Sequence, residues 1–382
     1  MLSDLSRRKV ILSGGSVAVG AVAAACGSAG ATSLARPRSK AGMLLWRASV
    51  PRSVLTVAAA AGTLCVAGAP VRGLSASNGK ESWSLSGRQG DYPAVMAAGE
   101  VFIATSDSAA VALDPHTGQQ KWRFSLPVVT GLPSVPLFAT DSTTVYATGV
   151  SISSGSPQGC ILAIDALTGD RKWATYFPLS AEISTLTAGD GVVCALSGAG
   201  PAKMIALDAR TGARMWTAPG PSVPFQGTIA DGVISGLIAG AAGASGVVAI
   251  DALTGSRLWV ANVGGTLEWT ASGGGIVYVP AFNGPEQIGV PGDLVALDAR
   301  SGKKLWAHHF AEGAPLTLQP AGAVVYTGFH SNVMHALDSR TGDTLWTYTM
   351  PLAGKDQLSD IALTPGRVLL ASLNGAIFAL EA

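Results

Sequence analysis

The stretch ALDARTGARMW, residues 206–216, decides how this chain folds because it does not occur once. Near-copies stand at 112–122 (ALDPHTGQQKW), 163–173 (AIDALTGDRKW), 249–259 (AIDALTGSRLW), 296–306 (ALDARSGKKLW) and 336–346 (ALDSRTGDTLW). A worn copy, GLSASNGKESW, occupies 73–83. One more is divided between the ends of the chain: Ala379-Leu380-Glu381-Ala382 opens it, and Ala41-Gly42-Met43-Leu44-Leu45-Trp46 supplies its Gly-x-x-x-Trp ending. Six full copies, one worn copy and one divided copy make eight.

The closing tryptophans are Trp46, Trp83, Trp122, Trp173, Trp216, Trp259, Trp306 and Trp346, at intervals of 37, 39, 51, 43, 43, 47 and 40 residues. A period in the forties fits four-stranded blades and some helical repeats. Short β-rich runs such as Thr144-Val145-Tyr146-Ala147 and Ile276-Val277-Tyr278-Val279 precede the phrases, with no amphipathic run of helical length between them, so helical repeats are excluded. Within the phrase, Ala-x-Asp ends a strand, Thr-Gly makes the turn, and the Trp stands on the returning strand. Glycine accepts the positive φ of a tight turn, and the Asp carboxylate can accept turn N–H groups. An indole is too large for one small sheet to cover, so each Trp is expected between neighbouring blades. The expected fold is all-β: an eight-bladed propeller of four-stranded blades over residues 42–382, closed by N- and C-terminal strands that share one blade. Closure leaves no open seam between first and last blades.

The AxDxxTGxxxW phrase resembles the tryptophan-docking motif of the pyrroloquinoline quinone (PQQ)-like propeller repeat family, over essentially the whole chain after residue 41. The resemblance implies that each Trp stacks between the motif's Ala and the Gly peptide of a neighbouring blade. Gly73, Ser75 and Asn78 replace Ala, Asp and Thr in the worn copy, and Glu381 replaces Asp in the divided one, so those two blades are expected to dock less firmly. In size and blade number the chain is similar to the non-enzymatic, exported branch of the family, which includes the propeller lipoprotein of the outer-membrane barrel assembly machinery.

The first residues read as an address. Ser6-Arg7-Arg8-Lys9 followed by the weakly apolar run from Val10 to Ala25 resembles a twin-arginine export signal, with Arg7 and Arg8 as the signal pair. Val22-Ala23-Ala24-Ala25-Cys26 resembles a lipobox, with Cys26 the lipidated residue. The expected layout is a signal peptide at 1–25, a lipobox Cys and tether at 26–41, and the propeller at 42–382, outside the cytoplasm and held to the membrane by lipid. Composition agrees with short buried strands: 48 glycines, 13% charged residues and a formal net charge of +1. No basic stripe interleaved with aromatics appears, which argues against a nucleic-acid partner.

Chemistry is sparse. His116, His308, His309, His330 and His335 form no HExxH or Cys/His pattern. His308 and His309 adjoin on a strand and point to opposite faces, and His116 falls in a turn. GxSxG, GxGxxG and Walker patterns are missing from the sequence. The Asp of each phrase reads as a turn holder. Cys65 and Cys194 occupy matching strand positions and read as packing, with a Cys160–Cys194 bridge between adjacent blades left open.

Family resemblance raises one enzymatic alternative, a PQQ-dependent quinoprotein dehydrogenase, which implies PQQ and calcium as cofactors. Such enzymes carry an adjacent cysteine pair, which this chain lacks. Trp269 beside Glu268 lies outside the docking phrase and is a conceivable quinone platform, and an inner-strand aromatic plugging the channel is the competing reading. The favoured expectation is a non-catalytic ring without cofactor or metal that binds an envelope protein or an unknown ligand, with an extracytoplasmic sensor-type propeller as a further alternative. The two long intervals place extra residues at Ser151 to Gly159 and Phe282 to Asp293, read as loops on the face opposite the Thr-Gly turns. Asn283, Glu286, Gln287 and Asp293 are the candidate partner-contacting residues there.

Overall fold

The computed structural model describes residues 40–382 apart from the short segments 52–53, 69, 86–93, 98–99, 106–108, 128–135, 154–155, 179–182, 198–202, 220–226, 240–244, 268, 283–290 and 355. The described residues form eight antiparallel sheets. In seven of them the four strands follow chain order from inside to outside, as in Ile183–Gly189, Val192–Ser197, Lys203–Asp208 and Arg214–Pro219. These are blades 1 to 7, and blade 6 has its inner strand in two pieces, Thr266–Leu267 and Ala271–Gly273. The eighth sheet joins both ends of the chain. Leu358–Thr364, Arg367–Ser372 and Ala376–Glu381 are completed by Leu44–Ser49, with Leu44 opposite Leu380 and Trp46 opposite Ala379.

Each repeated phrase builds one turn and one seam. At 206–216 the Gly212 N–H donates to the Asp208 carbonyl (2.8 Å), and Asp208 Oδ1 accepts the Thr211 hydroxyl (2.7 Å) and the Thr211 N–H (2.8 Å). Gly212 has φ +71, and its bare Cα lets the Trp173 indole lie so close that an added Cβ would meet it at 2.6 Å. Trp173 Nε1 donates to the Ala209 carbonyl at 2.9 Å. The same contact runs round the molecule: Trp46 on Gly79, Trp83 on Gly118, Trp122 on Gly169, Trp173 on Gly212, Trp216 on Gly255, Trp259 on Gly302, Trp306 on Gly342, and Trp346 on Gly42. The last step returns to the first described residues, so the chain of contacts is a closed cycle of eight.

Between the blades lie eight apolar clusters, each drawn from two neighbours. The seam between blades 8 and 1 gathers Val57, Leu64, Val66 and Leu74 with Leu369, Ala371, Ile377 and Ala379. A hydrogen bond crosses it: the Val57 N–H donates to Asp360 Oδ2 at 3.0 Å, and Asp360 Oδ1 accepts its neighbour Ile361 N–H at 2.8 Å. Elsewhere, turn aspartates staple one blade to the next, Asp190 Oδ2 accepting the Gly232 N–H and Asp231 Oδ2 the Gly275 N–H, both at 2.7 Å.

The closing tryptophans of the two imperfect copies still dock, but among the described residues the divided copy's turn gives Trp346 no Nε1 hydrogen bond of the kind the other seven make. Trp46 Nε1 reaches the Ala76 carbonyl at 3.0 Å and Trp83 Nε1 the Pro115 carbonyl at 2.9 Å. The reason is visible at Gly73. A Cβ there would lie 2.1 Å from the Trp83 ring, so the indole occupies the space that Ala fills in other blades. Gly73→Ala would restore the repeat's own consensus, yet it overfills this seam. It is expected to cost about 1–3 kcal/mol, read as a lower denaturant midpoint at unchanged slope.

Stability should also depend on pH in two limbs. Asp165 is held below the usual carboxylate range mainly by the Thr168 N–H, and Asp208 by the Thr211 hydroxyl. Their contribution is present above about pH 4 and is lost as pH falls through the lowered folded values. Burial pushes Asp360 the other way, up to about 6. A raised acid favours the fold while protonated, so its contribution is present at low pH and lost as pH rises through about 6. Melting temperature is therefore expected to peak where the two limbs meet, at about pH 4 to 5, and to fall from there through about 6, and Asp360→Asn should flatten the upper limb alone.

Candidate interaction face

The antiparallel order gives the ring two unlike faces. One carries the Thr-Gly turns and the hairpins between first and second strands; the other carries the links between second and third strands and the crossings to the next blade. Both insertions fall on the second face. In blade 3 the extra length is strand rather than the loop expected from sequence: Thr144–Ser153 and Ser156–Asp165 pair residue for residue from Thr144 opposite Asp165 to Ser153 opposite Ser156. The result is a projecting hairpin with Ile152 63% exposed. Its base is braced by the Val150 N–H donating to the Pro127 carbonyl at 2.9 Å, and a Cβ at Gly149 would lie 2.9 Å from that oxygen.

In blade 6, Phe282 ends the second strand opposite Gly292, which starts the third. Of the four candidate contact residues only Asp293 is placed. It lies opposite His309, whose Nδ1 is 2.7 Å from Asp293 Oδ1. Asn283, Glu286 and Gln287 lie outside the described residues, as do Arg7, Arg8, Cys26 and Glu268.

Sequence reading missed a grouping that the fold creates. Four of the five histidines belong to blades 6 and 7. His308 and His309 do point apart, the first with Nδ1 2.7 Å from the Gly342 carbonyl of blade 7, the second toward Asp293. His335 Nε2 lies 2.7 Å from Glu312 Oε1, its Nδ1 lies 3.0 Å from Thr347 Oγ1, and Phe310 and Phe329 pack against the ring at 5.2 and 5.3 Å. His330 Nδ1 is 2.7 Å from Gln357 Oε1. The sequence carries no signal for it, because the partners come from neighbouring strands and crossings. His116 is exposed in its turn. No group of three His, Cys, Asp or Glu side chains converges as a metal site among the described residues.

The remaining candidates serve the walls. Trp269 is half-buried against the cluster between blades 6 and 7, beside Ala271 and Leu318. Cys65, Cys160 and Cys194 are free and buried. Cys160 packs in the seam of blades 2 and 3 and Cys194 in that of blades 4 and 5, so the bridge left open by the sequence is not made. Burial pushes the Cys65 and Cys194 thiols up to about 12 and Cys160 to about 11, which silences them as nucleophiles at neutral pH. Oδ1 of each phrase aspartate accepts N–H groups of its own turn, as expected, while Asp251 Oδ2 accepts Arg300 Nη1 of the next blade at 3.0 Å.

A family profile described as "Outer membrane protein assembly factor BamB" matches residues 30–236 and 243–382. The protein of that name from Burkholderia pseudomallei is 27% identical over 164 residues, 42% of this chain and 41% of that one. "Serine/threonine-protein kinase AfsK" of Streptomyces griseus is 28% identical over 110 residues, 28% of this chain and 13% of that one. The chain thus aligns with less than half the length of either curated relative. Among solved structures, BamB from Moraxella catarrhalis superimposes with a TM-score of 0.58 at 18% identity, covering 88% of this chain and 98% of that one. A quinohemoprotein alcohol dehydrogenase from Comamonas testosteroni gives 0.61 at 16%, covering 90% and 76%. At such identities the structural likeness shows the fold alone. The family profile spans nearly all of the described ring, and the chain belongs to the PQQ-like propeller family that this outer membrane assembly factor represents.

Proposed function

We propose that the protein is a non-catalytic interaction ring of the cell envelope, exported by its twin-arginine signal, anchored by lipid on Cys26, and docked to a protein partner through the face opposite the Thr-Gly turns. The observation that carries this reading is the blade 3 hairpin. A regular ring needs no ten-residue strands there, and the added length ends in an exposed Ile152 rather than in packing. Loops and projections on a rigid scaffold are where binding residues concentrate. Among the described residues, the phrase aspartates hold turns and Asp190, Asp231 and Asp360 staple one blade to the next, which supports scaffold over catalyst. The resemblance to an outer membrane assembly factor supports a protein as the partner.

A sensor-type propeller is the second reading, favoured by the identity shared with a Streptomyces kinase. A quinoprotein is disfavoured by the lack of an adjacent cysteine pair in the sequence.

Photo-crosslinkers at Ile152 and at Leu167, an equally exposed residue in a Thr-Gly turn on the opposite face, test the proposal in native membranes. A discrete adduct from position 152 and none from 167 is expected. Equal capture from both, or a dye-reducing complex of the purified protein with PQQ and Ca²⁺, would contradict it.

A further inference from the structure

The eight copies of the phrase provide an internal standard for what the outer strands need. Two residues before the docking Trp, seven blades carry Glu81, Gln120, Arg171, Arg214, Arg257, Lys304 and Thr344, all exposed. Three residues before it they carry Lys80, Gln119, Asp170, Ala213, Ser256, Lys303 and Asp343. The divided blade departs at both positions. Met43 and Leu44 stand there, followed by Leu45, and the three side chains are 55%, 44% and 42% exposed. An exposed Leu before the Trp occurs elsewhere, as at Leu258 and Leu305, but three consecutive apolar residues occur in this copy alone.

The patch is held in place by the ring. The Gly42 N–H donates to the Glu381 carbonyl (2.8 Å), the Glu381 N–H to the Met43 carbonyl (3.0 Å) and the Met43 N–H to the Lys40 carbonyl (3.1 Å). Gly42 carries the Trp346 ring and Trp46 docks on blade 1, so both neighbouring blades fix this strand. Pairing shifts between Leu44 and Trp46, which leaves Leu45 without a partner residue and breaks the alternation that would have turned one leucine inward. Leu44–Ser49 is the outermost strand of its sheet, so nothing in its own blade covers it.

We infer that Met43, Leu44 and Leu45 rest on a lipid bilayer surface and set the ring edge-on to the membrane. The inference builds on the lipid anchor of the proposed function and adds the orientation. Where the chain enters the ring names the occupant. Cys26 lies sixteen residues before Gly42, and sixteen residues reach at most about 55 Å in any conformation, so an anchor on Cys26 holds this edge within that distance of the bilayer. A second copy fits less well, because three side chains are a small fraction of the roughly 800 Å² that each partner buries in a stable interface. A tethered surface needs no such area, since the tether supplies the local concentration. Apolar side chains at the headgroup boundary then add contact in proportion to the area they bury.

Methionine oxidation tests this without altering the protein. Met43 is 55% exposed and Met215 is 37% exposed, and the ring order places their blades, 8 and 4, diametrically opposite. The protein from native membranes, reconstituted on phosphatidylcholine vesicles, is exposed to hydroxyl radicals, and sulfoxide at each site is measured by mass spectrometry. Met43 should be protected at least severalfold relative to the vesicle-free ring while Met215 is unchanged. Leu44→Gln, which copies Gln120 of blade 2, should lose that protection with an unaltered melting temperature. Equal oxidation of Met43 with and without vesicles overturns the proposal, and so does protection that appears without vesicles as protein concentration rises, which would identify a second copy. Mass spectrometry of the same sample reports diacylglycerol on Cys26, so the anchor fails or stands separately. If Cys26 is unmodified, Met43 is read against millimolar vesicles, where protection upholds the contact and its absence overturns it.

Discussion

The contact on which everything else rests is an indole ring lying on the peptide of a left-handed glycine one blade away. Glycine supplies two things at once there: a φ near +70 for the turn and a bare Cα for the ring to approach. The Trp Nε1–H then finds a carbonyl in the same turn, as at Ala166, Ala209, Ala252 and Ala299, so the one polar atom of a large apolar side chain is satisfied when the contact forms. Truncating a docked Trp to Ala removes on the order of 3–5 kcal/mol, a large part of the net stability of an ordinary domain. Eight such contacts in a cycle mean that no blade has an open face, and the strand from each end of the chain is held by the other.

This economy divides the molecule by role. Turn aspartates, docking glycines and tryptophans crowd one face and the outer wall, where their polar atoms are spent on one another. Length variation is left to the other face, where the blade 3 hairpin projects and the blade 6 insertion begins. His309, His330 and His335 lie toward that end of blades 6 and 7, each with a defined partner, while His308 reaches back to the Thr-Gly turn of blade 7. Nothing in the turns competes with those residues for a role, because the turns are committed to closing the ring.

The repeat makes the architecture legible in the sequence. Eleven residues specify a strand end, a turn and a docking side chain, and the phrase split between Ala379 and Trp46 specifies how the ring closes. Where the repeat breaks, legibility ends. Gly73 read as a weakened copy, yet the missing methyl is filled by Trp83 itself, a compensation that involves two residues ten apart and only appears in three dimensions. The insertion at Ser151 to Gly159 read as a loop because its Gly and Ser content masks strand pairing that the ladder of blade 3 enforces. The pairing of His335 with Glu312 and Thr347 had no sequence signal, since it joins a strand, a crossing and the neighbouring strand. Asn283, Glu286 and Gln287 lie outside the described residues.

Closure by the two ends is the central claim, and deletion of residues 379–382 measures it most directly. Those residues carry Leu380, opposite Leu44, and Ala379, opposite Trp46, so their loss removes two of the five pairs that hold the outer strand and takes Ala379 out of the seam between blades 8 and 1. Denaturant unfolding followed by tryptophan fluorescence should then show a lower midpoint for the ring as a whole, since each blade is buttressed by the next. An unchanged midpoint, with the same single transition as the intact chain, would contradict a ring held shut by its own ends.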